Sequence, residues 1–397
     1  MLGVTGGIAS YKSAWLARLL TLAGADVDVV MTRAALEFVG AITFEALTGR
    51  QVHSDIFAVG HALDHIALTR AAHAIVVAPS TADFMARAAH GHADDLLTAC
   101  LLASGSEGTA PPILLVPAMN DRMWAHPQTR RNVEHLSGLG YRVLEPAEGM
   151  LAAGEGSGPG RMPEPETILA HVGRLLESPG ALKGKRVLVT AGPTREPVDP
   201  VRFLSNHSSG KMGVAIAAAA WRRGAEVSLI AGAMSISAPP GVAITPVETT
   251  EDMANAVRAA LPRADVLVMA AAPADFQAAK VASGKIKKAS AVASLALAPT
   301  TDILASTVDQ RRNGAIIVGF ALETHDPVRH GREKLANKSL DLLVVNDATE
   351  PGAGFGVDTN RVTILSKNGE DEVLPLMSKD DVADAILDRV EAQLRGR

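Results

Sequence analysis

The amino-acid sequence predicts an α/β protein built from two Rossmann-like, doubly wound domains. Short apolar runs alternate with helical stretches along the chain, a pattern typical of parallel strands joined by helical crossovers. The chain has 397 residues, which is too long for a single hydrophobic core. Turn residues at 177–180 interrupt the alternation. We therefore expect a first domain at residues 1–176, a linker at 177–184 and a second domain at 185–397.

In the first domain, apolar runs predict strands and longer Ala-rich or amphipathic runs predict helices. The initial strand is shorter than the usual length of about five or six residues, so we expect either a late start site or a clipped first strand. The expected strands are Met1–Val4, Asp26–Met31, Ala74–Ala78, Ile113–Pro117 and Arg142–Leu144, and the expected helices are Tyr11–Ala23, Ala34–Leu47 and Ala82–Leu102.

The second domain repeats this alternation, with an Ala-rich helix expected at Gly213–Trp221. Its expected strands are Val187–Thr190, Glu226–Ala231, Val266–Ala270, Ile316–Phe320, Asp341–Asn346 and Arg361–Leu365.

The composition indicates a soluble globular protein, with 47% hydrophobic and 20% charged residues. A formal net charge of −5 and the lack of a Lys/Arg block argue against a nucleic-acid partner. The apolar runs are too short to span a membrane. Cys100 is the only cysteine, which is typical of a reducing compartment. We therefore expect a cytoplasmic protein with no nucleic-acid and no membrane partner.

A Gly-rich turn, GVTGGIASYK at residues 3–12, follows the first strand and opens the first helix. Its glycines allow close approach of the backbone to a ligand, and the helix start favours a phosphate. The spacing does not match the dinucleotide fingerprint, and a tight turn without a ligand remains an alternative. Further polar segments follow later strands at 31–32, 78–83 and 117–124, where parallel sheets bind their ligands.

An unusually long loop connects the strand Val187–Thr190 to the helix Gly213–Trp221. It spans roughly twenty residues, whereas such loops usually need about two to six. It ends at Lys211, next to a predicted helix start, and that arrangement favours bound phosphate. The alternative is an ordinary loop with a solvated lysine.

Four segments resemble one enzyme family. AGPTREPVDPVRF at 191–203 and SNHSSGKMG at 205–213 closely resemble the ligase half of the bifunctional phosphopantothenoylcysteine decarboxylase/phosphopantothenate–cysteine ligases. PAMNDRMW at 117–124, together with the Gly-rich turn, resembles the flavin-dependent cysteine decarboxylases. The resemblance covers almost the whole chain. It implies a flavodoxin-like, FMN-binding decarboxylase fold in the first domain and a nucleotide-binding ligase fold in the second.

The resemblance implies that FMN supplies the redox chemistry of the first domain. It assigns catalytic roles to His65, in a His–aliphatic–x–Leu setting, and to Asn120, which would hold the substrate carboxylate. A surface or helix-cap histidine is the alternative for His65. The implied FMN contacts are Gly6, Gly7, Ser10, Thr32, Ser80, Thr81 and Met119.

The segment at 150–162 resembles the mobile substrate flap of the family, and this chain departs from the pattern there. Many relatives carry a cysteine proton donor where Ala153 stands, and Cys100 lies in an apolar helix that suits a structural thiol. Glu155 or water is the expected substitute. The flap residues expected to act are Ala153, Gly160, Arg161 and Met162.

In the second domain, the resemblance implies that CTP activates the carboxylate of 4′-phosphopantothenate as an acyl-cytidylate, which the cysteine amine then consumes. Lysines and Mg²⁺ would stabilise the phosphoryl charges. Lys285, in a Lys-rich run at 285–288, is assigned to forming the intermediate and Asn206 to consuming it. The implied CTP contacts are Ala271, Ala272, Asp275, Lys285, Thr301, Asp302, Ile303, Phe320, Lys334 and Lys338.

Some of these assignments have simpler alternatives from the residues alone. Asp275 is expected to bind the metal or cytidine, and a helix-cap carboxylate is its alternative. The run at 285–288 alone would read as a solvated charge cluster. Thr300 and Thr301 stand where the family has Asn-Pro, so contacts to the nucleotide there are less secure.

We therefore expect a bifunctional enzyme of coenzyme A biosynthesis. It would condense 4′-phosphopantothenate with cysteine and then decarboxylate the product to 4′-phosphopantetheine. Family knowledge implies a homo-oligomer with a trimeric flavin domain and a dimeric ligase domain, up to a dodecamer. One alternative is a ligase whose flavin domain is an FMN-binding assembly module, because of Ala153. A second is a nicotinamide oxidoreductase built on the Gly-rich turns.

Overall fold

The computed structural model of the chain describes all residues except 58, 61, 106–109, 235, 288–293, 324–325, 348–351, 353, 355, 368 and 397. It forms two compact units, unit 1 at Met1–Glu177 and unit 2 at Ser178–Arg397. Among the described residues, none of the helices is both long enough and apolar enough to span a bilayer.

Unit 1 is organised around a parallel sheet with the strand order β3-β2-β1-β4-β5-β6. This order changes direction between β1 and β4, which creates a topological switch point. A separate antiparallel hairpin consists of β7 and β8. The elements are β1 (Leu2–Val4), α1 (Ser10–Leu22), β2 (Val29–Met31), α2 (Arg33–Leu36), α3 (Ala41–Thr48), β3 (Val52–His53), α4 (Asp64–Ala71), β4 (Ile75–Ser80), α5 (Ala82–Ala89), α6 (Leu96–Ala103), β5 (Ile113–Pro117), α7 (Asp121–Ala125), α8 (Pro127–Gly138), β6 (Arg142–Val143), β7 (Ala147–Met150), β8 (Ser157–Arg161) and α9 (Pro165–Leu176).

Both faces of this sheet are buried under helices. Because side chains alternate along a strand, Val76 of β4 joins a core with α1, α3 and α9, whereas Val77 joins a second core with α4, α5 and α6. The doubly wound α/β fold predicted from the sequence is therefore confirmed.

Two predicted helices of unit 1 are each divided in the structure. The run at 34–47 forms α2 and α3, because Gly40 adopts an extended conformation and begins α3. The run at 82–102 forms α5 and α6, because Asp95 caps α6 in a capping box with Thr98. In both places a local start signal overrides a continuous helical pattern.

Unit 2 has an eight-stranded sheet in the order β13-β12-β9-β14-β17-β18-β20-β21. The first six strands of this order are parallel, and the last two are added antiparallel. The elements are β9 (Arg186–Ala191), β10 (Arg195–Pro197), β11 (Phe203–Ser205), α10 (Lys211–Arg222), β12 (Glu226–Ala231), β13 (Ala243–Pro246), α11 (Thr250–Ala260), a 3₁₀ turn (Leu261–Arg263), β14 (Val266–Met269), β15 (Phe276–Ala278), β16 (Leu297–Pro299), a second 3₁₀ turn (Ala305–Gln310), β17 (Ile316–Glu323), α12 (Pro327–Asn337), β18 (Leu342–Asp347), β19 (Thr359–Asn360), β20 (Val362–Ser366), β21 (Glu372–Val373), β22 (Met377–Ser378) and α13 (Lys379–Arg395).

The six strands predicted for this part of the chain all have counterparts in the sheet of unit 2. The long loop after β9, however, contains an antiparallel hairpin of β10 and β11 that the sequence did not reveal. Its strands have three residues each, too few for a periodic pattern to appear. The loop therefore has a folded structure of its own.

Helix α10 packs unusually close to β9 at Gly213. A Cβ atom at this position would lie 2.6 Å from the Ala191 Cβ and 2.8 Å from the Thr190 carbonyl oxygen. Only glycine therefore fits between the helix and the strand that precedes the long loop.

We expect Gly213→Ala to destabilise unit 2 by about 1–3 kcal/mol, because the overpacking outweighs the better helix propensity of alanine. Hydrogen exchange of peptides from 178–397 as a function of urea measures this free energy. Gly138→Ala in α8 of unit 1, a helical position with no atom within 4 Å of the added Cβ, is the control; peptides from 1–177 should show equal or slightly higher stability in it. Equal stability of the two variants would contradict the packing argument.

Candidate active sites

A cavity of about 870 Å³ lies at the carboxyl edge of the sheet of unit 1. Its wall is built from the turns after β1, β2, β4 and β5 and from the β7–β8 hairpin. The predicted residues that line it are Gly6, Gly7, Thr32, Thr81, Met119, Asn120, Gly160, Arg161 and Met162.

Thr5 joins two of these turns. Its buried hydroxyl donates to the Pro79 carbonyl oxygen at 2.8 Å and accepts from the Thr81 amide at 3.2 Å. Gly6 packs against the start of α2, where an added Cβ would lie 2.5 Å from the Ala34 Cβ. These contacts bring the turns after β1, β2 and β4 together, as expected at a switch point.

Two of the predicted FMN contacts lie behind the wall of this cavity. The Ser10 hydroxyl donates to the carbonyl oxygens of Thr5 and Gly7, at 2.9 and 2.6 Å, so it shapes the turn. The Ser80 hydroxyl is buried and has no hydrogen-bond partner among the described residues. A buried polar group of this kind calls for a partner, which a bound ligand can supply.

Asn120 caps α7 and lines the same cavity. Its Oδ1 accepts from the Arg122 amide at 2.9 Å, which assigns the orientation of the side-chain amide. The NH₂ group is therefore the end left to donate to a ligand in the cavity. That geometry suits the recognition of a carboxylate.

The stem of the predicted flap is fixed to the site from two sides. The Met119 amide donates to the Gly160 carbonyl oxygen at 3.0 Å. The Lys12 ammonium group is nearly buried and donates to the Met162 carbonyl oxygen at 3.0 Å and to Glu164 at 2.8 Å. The sequence alone does not indicate this role of Lys12, because its position in the first turn of α1, facing the flap, becomes visible only in the fold.

His65 and Ala153 are not among the residues that line this cavity. His65 lies in α4, half-buried, and its Nδ1 is buried with no partner within the described part of the chain. Ala153 is exposed near the tip of the hairpin, whereas Glu155 lines the cavity. Cys100 is fully buried, and burial raises the pKa of its thiol to about 11, so it cannot replace a flap cysteine.

A second cavity, of about 460 Å³, lies at the carboxyl edge of the sheet of unit 2. It brings together predicted residues that are as much as 132 positions apart, from Asn206 to Lys338. The predicted residues that line it are Asn206, Ala271, Ala272, Asp275, Thr301, Asp302, Ile303, Phe320, Lys334 and Lys338.

Lys334 in α12 and Lys338, which caps its C-terminus, give one wall of this cavity a positive character. Lys338 forms an ion pair with Asp302 at 2.9 Å. Burial works to raise the pKa of Asp302, but the hydrogen bonds from Lys338 and the Ala305 amide, with the charge of Lys334, hold the pKa below its usual value. Asp302 is therefore ionised and orients Lys338 along the wall.

Asn206 is bound directly to the loop that follows β14. Its Nδ2 donates to the carbonyl oxygens of Ala272 and Pro273, both at 3.0 Å. Two carbonyl partners fix the NH₂ end of the amide, so Oδ1 is the end left to accept a hydrogen bond from a ligand. The Thr190 hydroxyl holds the same loop by accepting from the Ala271 amide at 3.1 Å.

Lys285 is exposed and does not line this cavity. Its neighbour Ile286 donates its amide to Asp199 at 3.1 Å, which fixes the segment beside the β10–β11 hairpin. Lys288, the last residue of the lysine run, lies outside the described residues. The role assigned to Lys285 therefore stays a prediction.

Asp275 is exposed at the mouth of the cavity. Within the described ranges, no three His, Cys, Asp or Glu side chains are grouped so as to hold a metal ion. Magnesium that arrives with a nucleotide needs only one or two protein carboxylates, because phosphates and water complete its shell. The residues are compatible with that type of site.

The fold and the two cavities define a two-domain α/β enzyme of the nucleotide-binding type. Two family models match it: Flavoprotein at residues 1–177, and DNA/pantothenate metabolism flavoprotein C-terminal domain at residues 182–394. Proteins named coenzyme A biosynthesis bifunctional protein CoaBC are similar over nearly their whole length. The one from Mycobacterium tuberculosis is 47% identical over 100% of this chain and 97% of its own, and that from Bacillus subtilis is 44% identical over 99% and 96%.

The chain belongs to this family of bifunctional coenzyme A biosynthesis enzymes, which join a phosphopantothenoylcysteine decarboxylase to a phosphopantothenate–cysteine ligase. The family predicted from the sequence is confirmed, and so is the prediction of a bifunctional enzyme. The alternative of a flavin domain kept only for assembly is not favoured. Family membership also argues against the nicotinamide oxidoreductase alternative.

We expect Lys12→Met to loosen the β7–β8 hairpin, because it removes both hydrogen bonds of the ammonium group while keeping a long apolar stem. Hydrogen exchange should rise about 10-fold or more in peptides covering 147–161. Trp15→Phe, on the same helix as Lys12, is the matched control, since it removes an exposed hydrogen bond from the Trp15 indole to Glu166 of α9. Unchanged exchange in Lys12→Met would show that the ammonium group does not anchor the flap.

Proposed function

We propose that unit 2 condenses 4′-phosphopantothenate with cysteine at the expense of CTP, and that unit 1 decarboxylates the product with FMN. The observation that carries this proposal is that nine of the ten predicted CTP-binding residues, together with Asn206, line one cavity. We assign the two activities to domains at 1–176 and 185–397, joined by the linker at 177–184.

In unit 1, the Gly-rich turn at the start of α1 and the orphan Ser80 hydroxyl suit the phosphate of FMN. FMN supplies the two-electron chemistry that makes loss of CO₂ from the cysteine moiety possible. The chain's own residues bind and orient the substrate. Asn120 donates to its carboxylate without a full ion pair, which would resist departure of CO₂. His65 is the proposed catalytic histidine. Glu155 or water donates the proton that the flap cysteine supplies in many relatives.

In unit 2, a carboxylate oxygen of 4′-phosphopantothenate attacks the α-phosphorus of CTP and pyrophosphate leaves. Lys334, Lys338 and Lys285 neutralise the charge that develops on the phosphoryl oxygens. Asp275 would hold Mg²⁺, which would add positive charge beside the same oxygens. Phe320 stacks on the cytosine ring. This step converts a poor leaving group into CMP.

The cysteine amine then attacks the acyl carbon, and CMP leaves as the amide bond forms. Asn206 is suited to this step because its Oδ1 is the free end of an amide fixed by two carbonyl groups. It accepts an N–H of the incoming amine and directs the nitrogen lone pair at the acyl carbon.

We further propose a cytoplasmic homo-oligomer, with trimeric contacts through unit 1, dimeric contacts through unit 2 and a dodecamer as the complete assembly. Size-exclusion chromatography with light scattering tests this part separately from the chemistry.

The proposed reactions are tested by incubating the purified protein with 4′-phosphopantothenate, cysteine and either CTP or ATP. We expect pyrophosphate with CTP, and one CO₂ for each amide formed. Supplied phosphopantothenoylcysteine should release CO₂ without any nucleotide. Pyrophosphate without CO₂, from protein that holds FMN, would restore the assembly-module alternative.

Asn206→Asp should let the acyl-cytidylate accumulate, because a carboxylate at this position is repelled by the Ala272 and Pro273 carbonyl oxygens and loses its fixed orientation. Quenched reactions analysed by mass spectrometry detect the intermediate. Decarboxylation of supplied phosphopantothenoylcysteine is the internal control and should not change. Wild-type turnover without accumulation would remove Asn206 from the mechanism.

Lys285→Gln should lower pyrophosphate release by about 100-fold, the scale expected for loss of a transition-state charge partner. Lys280→Gln, at another exposed lysine of the same segment, is the matched control and should retain activity. Equal activity of the two variants would discredit the assignment of Lys285.

A further inference from the structure

The loop Ala271–Asp275 forms one wall of the unit 2 cavity, and an additional set of buried side chains reaches it from behind. Thr194, Glu196 and Thr250 are 0%, 3% and 1% exposed, and none of them lines the cavity. The three side chains form a continuous series of hydrogen bonds that ends on the Ala274 amide.

The carboxylate of Glu196 fixes the direction of every bond in this series. Glu196 Oε1 accepts from both the amide and the hydroxyl of Thr250, each at 2.8 Å. Because the Thr250 hydroxyl donates its only proton to the carboxylate, it must accept from the Thr194 hydroxyl at 2.9 Å. The Thr194 oxygen is then left to accept from the Ala274 amide, also at 2.9 Å.

The buried charge of Glu196 is compensated locally. It lies at the start of α11, where the Thr250 amide and the helix dipole favour a negative group. A charge-assisted bond polarises the hydroxyls that follow it, which strengthens the series as a unit. A carboxylate buried in this way therefore serves as a fixed acceptor for the whole series.

The same helix start also holds the opposite loop of the cavity. Thr301 donates its hydroxyl to Glu251 of α11 at 2.9 Å, and the Thr300 hydroxyl donates to the Ala274 carbonyl oxygen at 2.6 Å. The first turn of α11 is thus bonded to both loops whose residues are expected to contact CTP.

We propose that Glu196, Thr250 and Thr194 are positioning residues for nucleotide binding, which fix the loop Ala271–Asp275 in the shape that receives CTP. This inference rests on the proposed ligase function and extends it to residues outside the cavity. Their loss should raise KM for CTP more than it lowers kcat, because the loop contributes to binding whereas Asn206 and the lysines carry the chemistry.

Thr194→Val tests this proposal, since valine keeps the shape of threonine and removes the hydroxyl. We expect KM for CTP to rise about 10-fold, the effect of one lost hydrogen bond that leaves the Ala274 amide unpaired. Thr194→Ser keeps the hydroxyl and should remain within about twofold of the wild type. Pyrophosphate release at varied CTP is the readout.

Two controls separate positioning from general damage. Decarboxylation of supplied phosphopantothenoylcysteine reports on unit 1 in the same protein and should be unchanged. Glu391→Gln alters another buried carboxylate of unit 2, one that accepts from the Ala181 amide away from the cavity, and should leave KM for CTP unchanged.

Thr250→Ala interrupts the series at a second point, and it tests the proposal if Thr194→Val does not fold. It should also raise KM for CTP. The proposal would be overturned if Thr250→Ala or Thr194→Val had the wild-type KM for CTP. It would also be overturned if Thr194→Ser were as impaired as Thr194→Val. Failure of the wild-type protein to release pyrophosphate from CTP would instead refute the proposed function.

Discussion

The structure depends on how the loops at the carboxyl edge of each sheet satisfy their backbone hydrogen bonds. These loops leave the strand ladders, and an unpaired buried N–H or C=O group costs about 1–3 kcal/mol. Both units solve this problem with a buried threonine at the end of the first strand. In unit 1, Thr5 bonds to Pro79 and Thr81 after β4, and in unit 2, Thr190 bonds to Ala271 after β14.

In each unit, the strand order changes direction between two neighbouring strands, β1 and β4 in unit 1 and β9 and β14 in unit 2. The threonine lies at the end of the first strand of each pair. Hydrogen bonds of a threonine hydroxyl therefore hold the loops together at both switch points, although the loops differ in length and residues. Many residues around them are Gly, Ala or Thr, so ligand atoms can approach the backbone closely. Longer side chains that carry charge, such as Lys12 and Lys338, are fixed by ion pairs at the periphery. A hydrogen-bonded centre with charged walls suits phosphate-bearing ligands in both units.

The sequence predicted the sheets well because the buried parallel strands are continuous apolar runs. The prediction wrongly joined α2 to α3 and α5 to α6, since Gly40 and Asp95 act as start signals within patterns that look continuous. The hairpins β7–β8 and β10–β11 were not recognised as strands, because their residues are mostly turn-formers or too few to show a period. Their positions depend on contacts with distant loops, such as Met119 with Gly160.

Several residues assigned to the ligase site line one cavity because Ala271 and Asp275 follow β14, Phe320 lies in β17, and the carboxyl ends of these parallel strands meet. Lys285 and His65 lie outside the cavity linings, so adjacency to a motif was not sufficient for them. Lys12, Thr194 and Glu196 lie within quoted motifs, but the sequence did not indicate what their side chains contact. A buried lysine or glutamate is recognisable only when its partners, here 54 to 152 positions away, are known.

Amide hydrogen exchange of the ligand-free protein tests most directly whether these hydroxyl-bonded loops exist before any ligand binds. The amides of Thr81 and Ala271, which donate to Thr5 and Thr190, should exchange at least about 100-fold more slowly than in an unstructured chain. Exchange of both at the unstructured rate would mean that the loops are ordered only by ligands, and it would contradict this account of the two sites.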